Sequence, residues 1–257
     1  EEQASNRVEN AVQKIYDTLG VDLLERGESF YNPMLAPTVE LLKQRGLVVE
    51  SDGAQCVYMD GFVNREGNAL PLIIQKSDGG YNYATTDLAA LRHRVENEKA
   101  DRIIYVTDNG QSLHFKMIFS AATEGGLVDV EEVQIDHVGF GLVLGEDGKK
   151  LKTRSGDTVP LQSLLDSAVE QAKSLILEKG RDWPSDEIDH AAKVIGIGAV
   201  KYADLSNYRL NDYRYSLDRM LSFEGNTATF IIYSNAQCSN RFLHWVFRQF
   251  EADTEAP

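Results

Sequence analysis

The stretch Pro71-Leu72-Ile73-Ile74-Gln75-Lys76-Ser77-Asp78-Gly79-Gly80-Tyr81-Asn82-Tyr83-Ala84-Thr85-Thr86-Asp87-Leu88-Ala89-Ala90-Leu91-Arg92 joins an apolar run, a turn and the start of an amphipathic segment. Residues 71–77 read as a short strand, and Asp78-Gly79-Gly80 as a turn. Thr85 or Thr86 is the expected N-cap of a helix reaching about Glu98, with Leu88, Leu91 and Val95 on one face. Asp87 then falls in the first helical turn, where the helix dipole favours a carboxylate by roughly 0.3 to 1 kcal/mol. A Tyr-x-x-x-Asp pair standing alone is ordinarily a packed ring and a capping carboxylate. On these residues Asp87 therefore stands between cap and ligand.

Outward from this stretch the pattern alternates. The strand at 72–75 and the helix from Thr86 are followed by a strand over Arg102–Thr107, the turn Asp108-Asn109-Gly110, a helix from about Ser112 to Glu124, and a strand over Val133–Val138. Such alternation predicts parallel strands with crossover helices, the α/β class. In open sheets of this kind ligands bind beyond the carboxyl ends of the strands. Tyr83 and Asp87 follow one strand end, Gln111 and His114 the next, so four groups converge on one predicted crevice. A single helical histidine such as His114 is more often a satisfied packing or capping residue than a catalytic one.

Upstream, Val8, Val12, Ile15 and Leu19 predict an amphipathic helix ended by Gly20. Tyr31 to Pro37 reads as a loop, with Thr38 capping a helix that runs to Arg45 and stops at Gly46. Leu47 to Val49 and Cys56 to Met59 predict a small hairpin around Ser51-Asp52-Gly53. Downstream, Lys149, Lys150, Lys152 and Arg154 fall in a short run bracketed by Gly148 and Gly156. Cations and hydroxyls there suit nucleotide phosphates, while a solvated basic turn is the ordinary alternative. The Gly-x4-Gly-Lys-Ser/Thr order of a P-loop is missing.

Leu161, Leu164, Leu165, Ala168, Ala172, Leu175 and Ile176 mark a further helix. After Trp183-Pro184, Ile188, Ala192, Ile195, Ala199 and Tyr202 mark another, in which Gly196 and Gly198 allow close packing. A boundary is expected near residue 160, between an α/β part over 1–160 and a helical part over 161–257.

The chain's 257 residues, 42% hydrophobic and 26% charged, are ordinary for a globular protein able to bury a sizeable core. No apolar run approaches the roughly 20 residues that span a bilayer, and no signal-peptide pattern opens the chain. A start at Glu1 suggests a fragment or a processed product. The only cysteines, Cys56 and Cys238, share no metal-ligand or redox spacing and fit free thiols in a cytoplasm or organelle matrix. The net charge of -14 argues against sequence-independent wrapping of nucleic acid, so such a partner needs a local basic patch.

The stretches Phe30-Tyr31-Asn32, Gln75 to Tyr81, Tyr83-Ala84-Thr85-Thr86-Asp87-Leu88-Ala89-Ala90, Val138-Gly139-Phe140-Gly141, Lys149 to Gly156 and Leu221 to Thr227, in this order, resemble arginyl-tRNA synthetases. The resemblance spans roughly residues 20 to 228. It implies part of a Rossmann-type class I synthetase catalytic domain with its connecting insertion, followed by the start of an all-α anticodon-binding domain. It also implies ATP-dependent activation of arginine and transfer to tRNA(Arg), with arginine, Mg-ATP and tRNA(Arg) as substrates, no tightly bound cofactor and no membrane partner.

By the same resemblance, Tyr83, Asp87 and Gln111 bind arginine, and a carboxylate indeed suits the planar fork of a guanidinium. Lys150-Leu151-Lys152-Thr153-Arg154 takes the place of the class I Lys-Met-Ser-Lys-Ser loop, with Thr153 at its second lysine position. Lys150, Lys152, Thr153 and Arg154 are thus the implied catalytic residues, and His114 with Lys150 and Lys152 the implied ATP contacts. The family's other signature, His-Ile-Gly-His, is not in the chain. The chain is expected to begin after it and, acting alone, not to charge tRNA. A non-catalytic arginine- or tRNA-binding module is the alternative. Ala228 to Asn235 does not continue the family pattern well.

Overall fold

The computed structural model describes residues 12–145, 147–149, 151, 159–178 and 183–239. In chain order its elements are α1 (12–19), a 3-10 turn (Glu28–Tyr31), α2 (Asn32–Gln44), β1 (Val48–Ser51), β2 (Ala54–Val57), β3 (Leu72–Gln75) and α3 (Tyr83–Glu96). These are followed by β4 (Arg102–Asp108), a 3-10 turn (Asn109–Gln111), α4 (Ser112–Glu124), β5 (Gln134–Phe140), β6 (Val143–Leu144) and α5 (Leu161–Glu178). Last come α6 (Ser185–Ser206), β7 (Tyr213–Arg214), α7 (Leu217–Met220) and α8 (228–239). By packing, the chain divides into residues 24–141 and the described residues of 1–23 with 142–257.

In the 24–141 unit, Asp52 and Gly53 both take positive φ (49° and 75°), the requirement of a two-residue hairpin turn. β1 and β2 accordingly pair antiparallel from Val48↔Val57 to Ser51↔Ala54. β4 and β5 pair parallel from Arg102↔Gln134 to Asp108↔Phe140, with α4 as the crossover between them. The strand at 72–75 departs from the expected all-parallel arrangement, because β3 pairs antiparallel with β2. Its alternate residues Leu72 and Ile74 are buried, and the hairpin supplies the backbone partners beside them. One core is shared by Leu42, Ile74, Leu88, Leu91 and Ile118, all fully buried and each contributing about 1.5 to 3 kcal/mol of burial.

Two local expectations are corrected. The chain from Asn32 is helical rather than looped, so Thr38 lies inside α2, fully buried, and Pro37 is a helix-interior proline. Leu35, Thr38, Val39 and Leu42 form one buried stripe at helical spacing. Burial of its three aliphatic members exceeds the roughly 3 kcal/mol that an interior proline costs. In α3 the N-cap is Asn82, whose side-chain Oδ1 accepts from the Ala84 N–H at 3.2 Å. Thr85 and Thr86 lie within the helix, and Asp87 is its fifth residue rather than a member of a capping turn.

In the other unit, α5 and α6 pack closely, with Leu165, Ala168 and Ala172 facing Ile188, Ala192, Gly196 and Ala199 as buried positions. Gly196 permits this approach, since a Cβ there would lie 2.7 Å from the Val169 N and Cα. β6 and β7 pair parallel through Val143↔Tyr213 and Leu144↔Arg214. The helix at 12–19 ends at Gly20, and the Leu19 carbonyl accepts from Lys201 Nζ at 2.7 Å. α8 opens with Thr227, whose Oγ1 accepts from the Phe230 N–H at 3.1 Å. No described helix is long and apolar enough to cross a membrane.

Candidate functional site

The start of α3 is held by its threonines. The Thr85 hydroxyl donates to the Ile74 carbonyl of β3, and both residues are fully buried. This tie seats α3 directly after the strand end and points the Leu88–Leu91 face into the core. Tyr83 is left 66% exposed, and Asp87 at the margin of the core with its side chain 28% exposed.

Asp87 Oδ2 lies 2.6 Å from Nε2 of His114, the third residue of α4. The Tyr83 ring leans over the same imidazole, with centroids 4.9 Å apart and planes at 60°. Tyr83, Asp87 and His114 thus form one cluster from two helices. Beneath it Phe115 is buried, meets His114 edge-on at 5.1 Å and stacks on His137 at 5.0 Å. His137 Nε2 in turn lies 2.9 Å from the Thr107 hydroxyl.

Tyr105, also against Phe115, accepts from Arg94 Nη1 at 2.8 Å and carries that guanidinium over its ring at 5.1 Å. Burial pushes the Tyr105 phenol up to about 12. Arg94 opposes the rise, and the nearby negative charge of Asp87 adds to it. The field of the Asp87 carboxylate therefore reaches into this aromatic floor.

Gln111 sits at the same end of the parallel strands but does not bond to Asp87. Its Nε2 donates to Asp108 Oδ2 at 2.8 Å, while Asp108 Oδ1 accepts from the Gly110 N–H at 2.9 Å. Asp108, which sequence reading took only as part of a turn, is thus the residue that holds Gln111. An Asp two residues before a glycine at a strand end is the available signal for such an Asx cap. Gly139 on β5 lets the same turn approach, because a Cβ there would lie 2.8 Å from Asn109 Oδ1 and 3.2 Å from Asn109 Cα.

Lys150, Lys152, Thr153 and Arg154 lie outside the described residues. Nearby, Gly145 N–H donates to the Lys149 carbonyl at 2.8 Å, and β6 leads into this turn from its pairing with β7.

Residues 3–217 match the family described as tRNA synthetases class I (R), catalytic domain. The arginine–tRNA ligase of Protochlamydia amoebophila is 55% identical over 226 residues, which cover 88% of this chain and 39% of that protein. That of Nostoc sp. (strain PCC 7120) is 56% identical over 229 residues, again 88% of this chain and 39% of the relative. The chain thus spans 39% of the length of these curated relatives. The crystal structure of arginyl-tRNA synthetase from Plasmodium falciparum superposes with a TM-score of 0.81 at 33% identity, covering 94% of this chain and 40% of that one. The Thermus thermophilus arginyl-tRNA synthetase shares the fold, with a TM-score of 0.76 at 19% identity over 96% of this chain and 46% of its own. The chain belongs to the family of class I arginyl-tRNA synthetase catalytic domains.

Proposed function

We propose that this chain carries the arginine-recognition elements and the phosphate-binding loop of an arginine–tRNA ligase. The intact enzyme would condense arginine with Mg-ATP, releasing pyrophosphate and forming arginyl-adenylate, and then pass arginine to the terminal ribose of tRNA(Arg). The observation that carries this reading is the Asp87 carboxylate and the exposed Tyr83 ring meeting at the same His114 imidazole, near the start of α3. A guanidinium is permanently charged, pairs with a carboxylate and stacks on an aromatic face, so the two groups offer both contacts. Gln111, steadied by Asp108, orients the substrate from the neighbouring turn.

Lys150, Lys152, Thr153 and Arg154 bind the ATP phosphates and stabilise charge that develops in adenylate formation. His114 offers Nδ1 to the nucleotide, since its Nε2 is engaged by Asp87. Catalysis rests on positioning and charge, so no covalent nucleophile is assigned. In this reading residues 1–160 are part of the catalytic domain with its insertion, and residues 161–257 lead into the anticodon-binding domain. The setting is the cytoplasm or an organelle matrix.

Calorimetric titration of the chain with arginine tests the assignment. Binding is expected for the wild type and about 10- to 100-fold weaker binding for Asp87→Ala, from loss of a charged hydrogen-bond partner. Absence of arginine binding in the wild type, or equal binding by the variant, overturns it.

A second reading is a non-catalytic arginine- or tRNA-binding module that keeps the contacts of Tyr83 and Asp87. The chain supplied with arginine, Mg-ATP and tRNA is expected to give no charged tRNA. Charging above a no-protein control refutes that expectation.

A further inference from the structure

His114 has a role that the arginine and ATP assignments do not account for. Its contact with Asp87 joins α3 to α4 across 27 positions of sequence at 2.6 Å. An ionised carboxylate can only accept, so Nε2 carries the proton and donates to Oδ2. The imidazole is itself held, by Tyr83 on one side at 4.9 Å and by the buried Phe115 at 5.1 Å. Phe115 is fixed in turn by its stack on His137. Rings anchored on β4 and β5 thereby support the imidazole, and the imidazole fixes one oxygen of the carboxylate. Among the described residues Oδ1 of Asp87 takes no hydrogen bond.

We propose that His114 is a positioning residue for Asp87, which it holds in one orientation so that the site selects a planar guanidinium over an ammonium. The proposal rests on the arginine-binding reading of Asp87. A carboxylate locked through Oδ2 presents Oδ1 at a set angle to the Tyr83 ring. A guanidinium, with directional N–H groups in a plane and a stacking face, gains from that fixed angle. An ammonium, a rotating point charge, does not. Loss of the lock therefore costs arginine more than lysine.

The test titrates the 257-residue chain with arginine and with lysine, in wild type, His114→Ala and His114→Gln. The Gln amide nitrogen reaches about as far as Nε2 and can donate to Oδ2. Arginine affinity is expected to fall about tenfold in His114→Ala and to return to within about threefold of wild type in His114→Gln. Lysine affinity is expected to change by less than about threefold, so the arginine-to-lysine ratio falls in the Ala variant alone. A general structural loss would lower both ligands together and would not be restored by Gln. Unchanged or improved arginine binding by His114→Ala overturns the proposal, since the histidine would then be a competitor that arginine displaces.

Proton NMR of the ligand-free chain separates this from failure of the arginine reading. A protected low-field imidazole N–H signal is expected in the wild type and is lost in both Asp87→Ala and His114→Ala. If the wild type binds no arginine but shows this signal, the substrate assignment fails while the positioning contact stands. If the signal is absent, the positioning role fails.

Discussion

Two glycines in α6 separate close packing from helix propensity, because alanine at each is expected to move stability in opposite directions. Alanine in a helix interior is favoured over glycine by about 0.8 to 1 kcal/mol. At Gly198 that gain stands, since the new Cβ would meet Ile232 Cδ1 at 3.6 Å and Ala228 Cβ at 4.0 Å, both ordinary contacts. At Gly196 it would meet Val169 N and Cα at 2.7 Å and the Ala168 carbonyl carbon at 2.8 Å. These are backbone atoms of α5, so no rotamer change relieves the overlap. The helices must part by roughly 0.7 Å to regain a 3.4 Å contact. Overpacking of this kind costs about 1 to 3 kcal/mol, and an unyielding backbone on the far side puts Gly196→Ala near the upper end. Set against the propensity gain, the net is about 2 kcal/mol of destabilisation, while Gly198→Ala stabilises by about 1 kcal/mol.

Urea unfolding followed by tryptophan fluorescence reports on this unit, because Trp183 lies directly before α6 and the sequence of 24–141 holds no tryptophan. With an m-value of about 2 kcal/mol/M, the midpoint is expected to drop by about 1 M for Gly196→Ala and to rise by about 0.5 M for Gly198→Ala. Midpoints moving in the same direction, or a Gly196→Ala protein within about 0.3 M of wild type, would refute the view that α5 and α6 depend on this approach.

Three further outcomes follow from the other unit. Thr85→Val keeps the buried volume but removes the hydroxyl that donates to Ile74. A loss of about 1 to 3 kcal/mol, less about 0.8 kcal/mol for the added methyl, should lower stability by roughly 0.2 to 2 kcal/mol in denaturant melts read by circular dichroism, while Thr85→Ser, which keeps the hydroxyl but gives up a buried methyl, should lose about 0.8 kcal/mol. Gly139→Ala pushes on Asn109 and so shifts the turn that carries Gln111. Arginine binding is expected to weaken about tenfold while the fold survives, and unchanged binding removes Gln111 from the site. Tyr105, raised to about 12 by burial, stays protonated in the folded chain where the unfolded phenol has already ionised. Its stabilising contribution is complete below about pH 10 and is lost as pH rises towards 12. Absorbance titration of tyrosinate should show one fewer late-ionising group in Tyr105→Phe, and an unchanged late phase rules out this environment.

Local sequence rules determined what depends on near neighbours. The Asp52-Gly53 turn, the helix from Ser112 to Glu124 and the parallel pairing of the 102–107 and 133–138 segments follow from turn chemistry and hydrophobic period. Tyr83, Asp87 and His114 do come together, but not by the parallel crossover on which the expected strand-end crevice rested, since β3 pairs antiparallel with β2 and it is α3 and α4 that meet. Tertiary packing decided which groups met within that region. Thr85 looked like a cap, yet its hydroxyl is taken by the Ile74 carbonyl, and Asn82 caps instead. Pro37 read as the end of a loop, yet the buried stripe of α2 runs across it. β3 carries the composition of a parallel strand but found its partner in the hairpin, because a strand's own residues do not specify which edge it joins. The tie between Asp87 and His114 is the clearest case: helix periodicity assigns each residue to a face of its own helix, and only the packing of α3 against α4 brings the carboxylate and the imidazole to 2.6 Å.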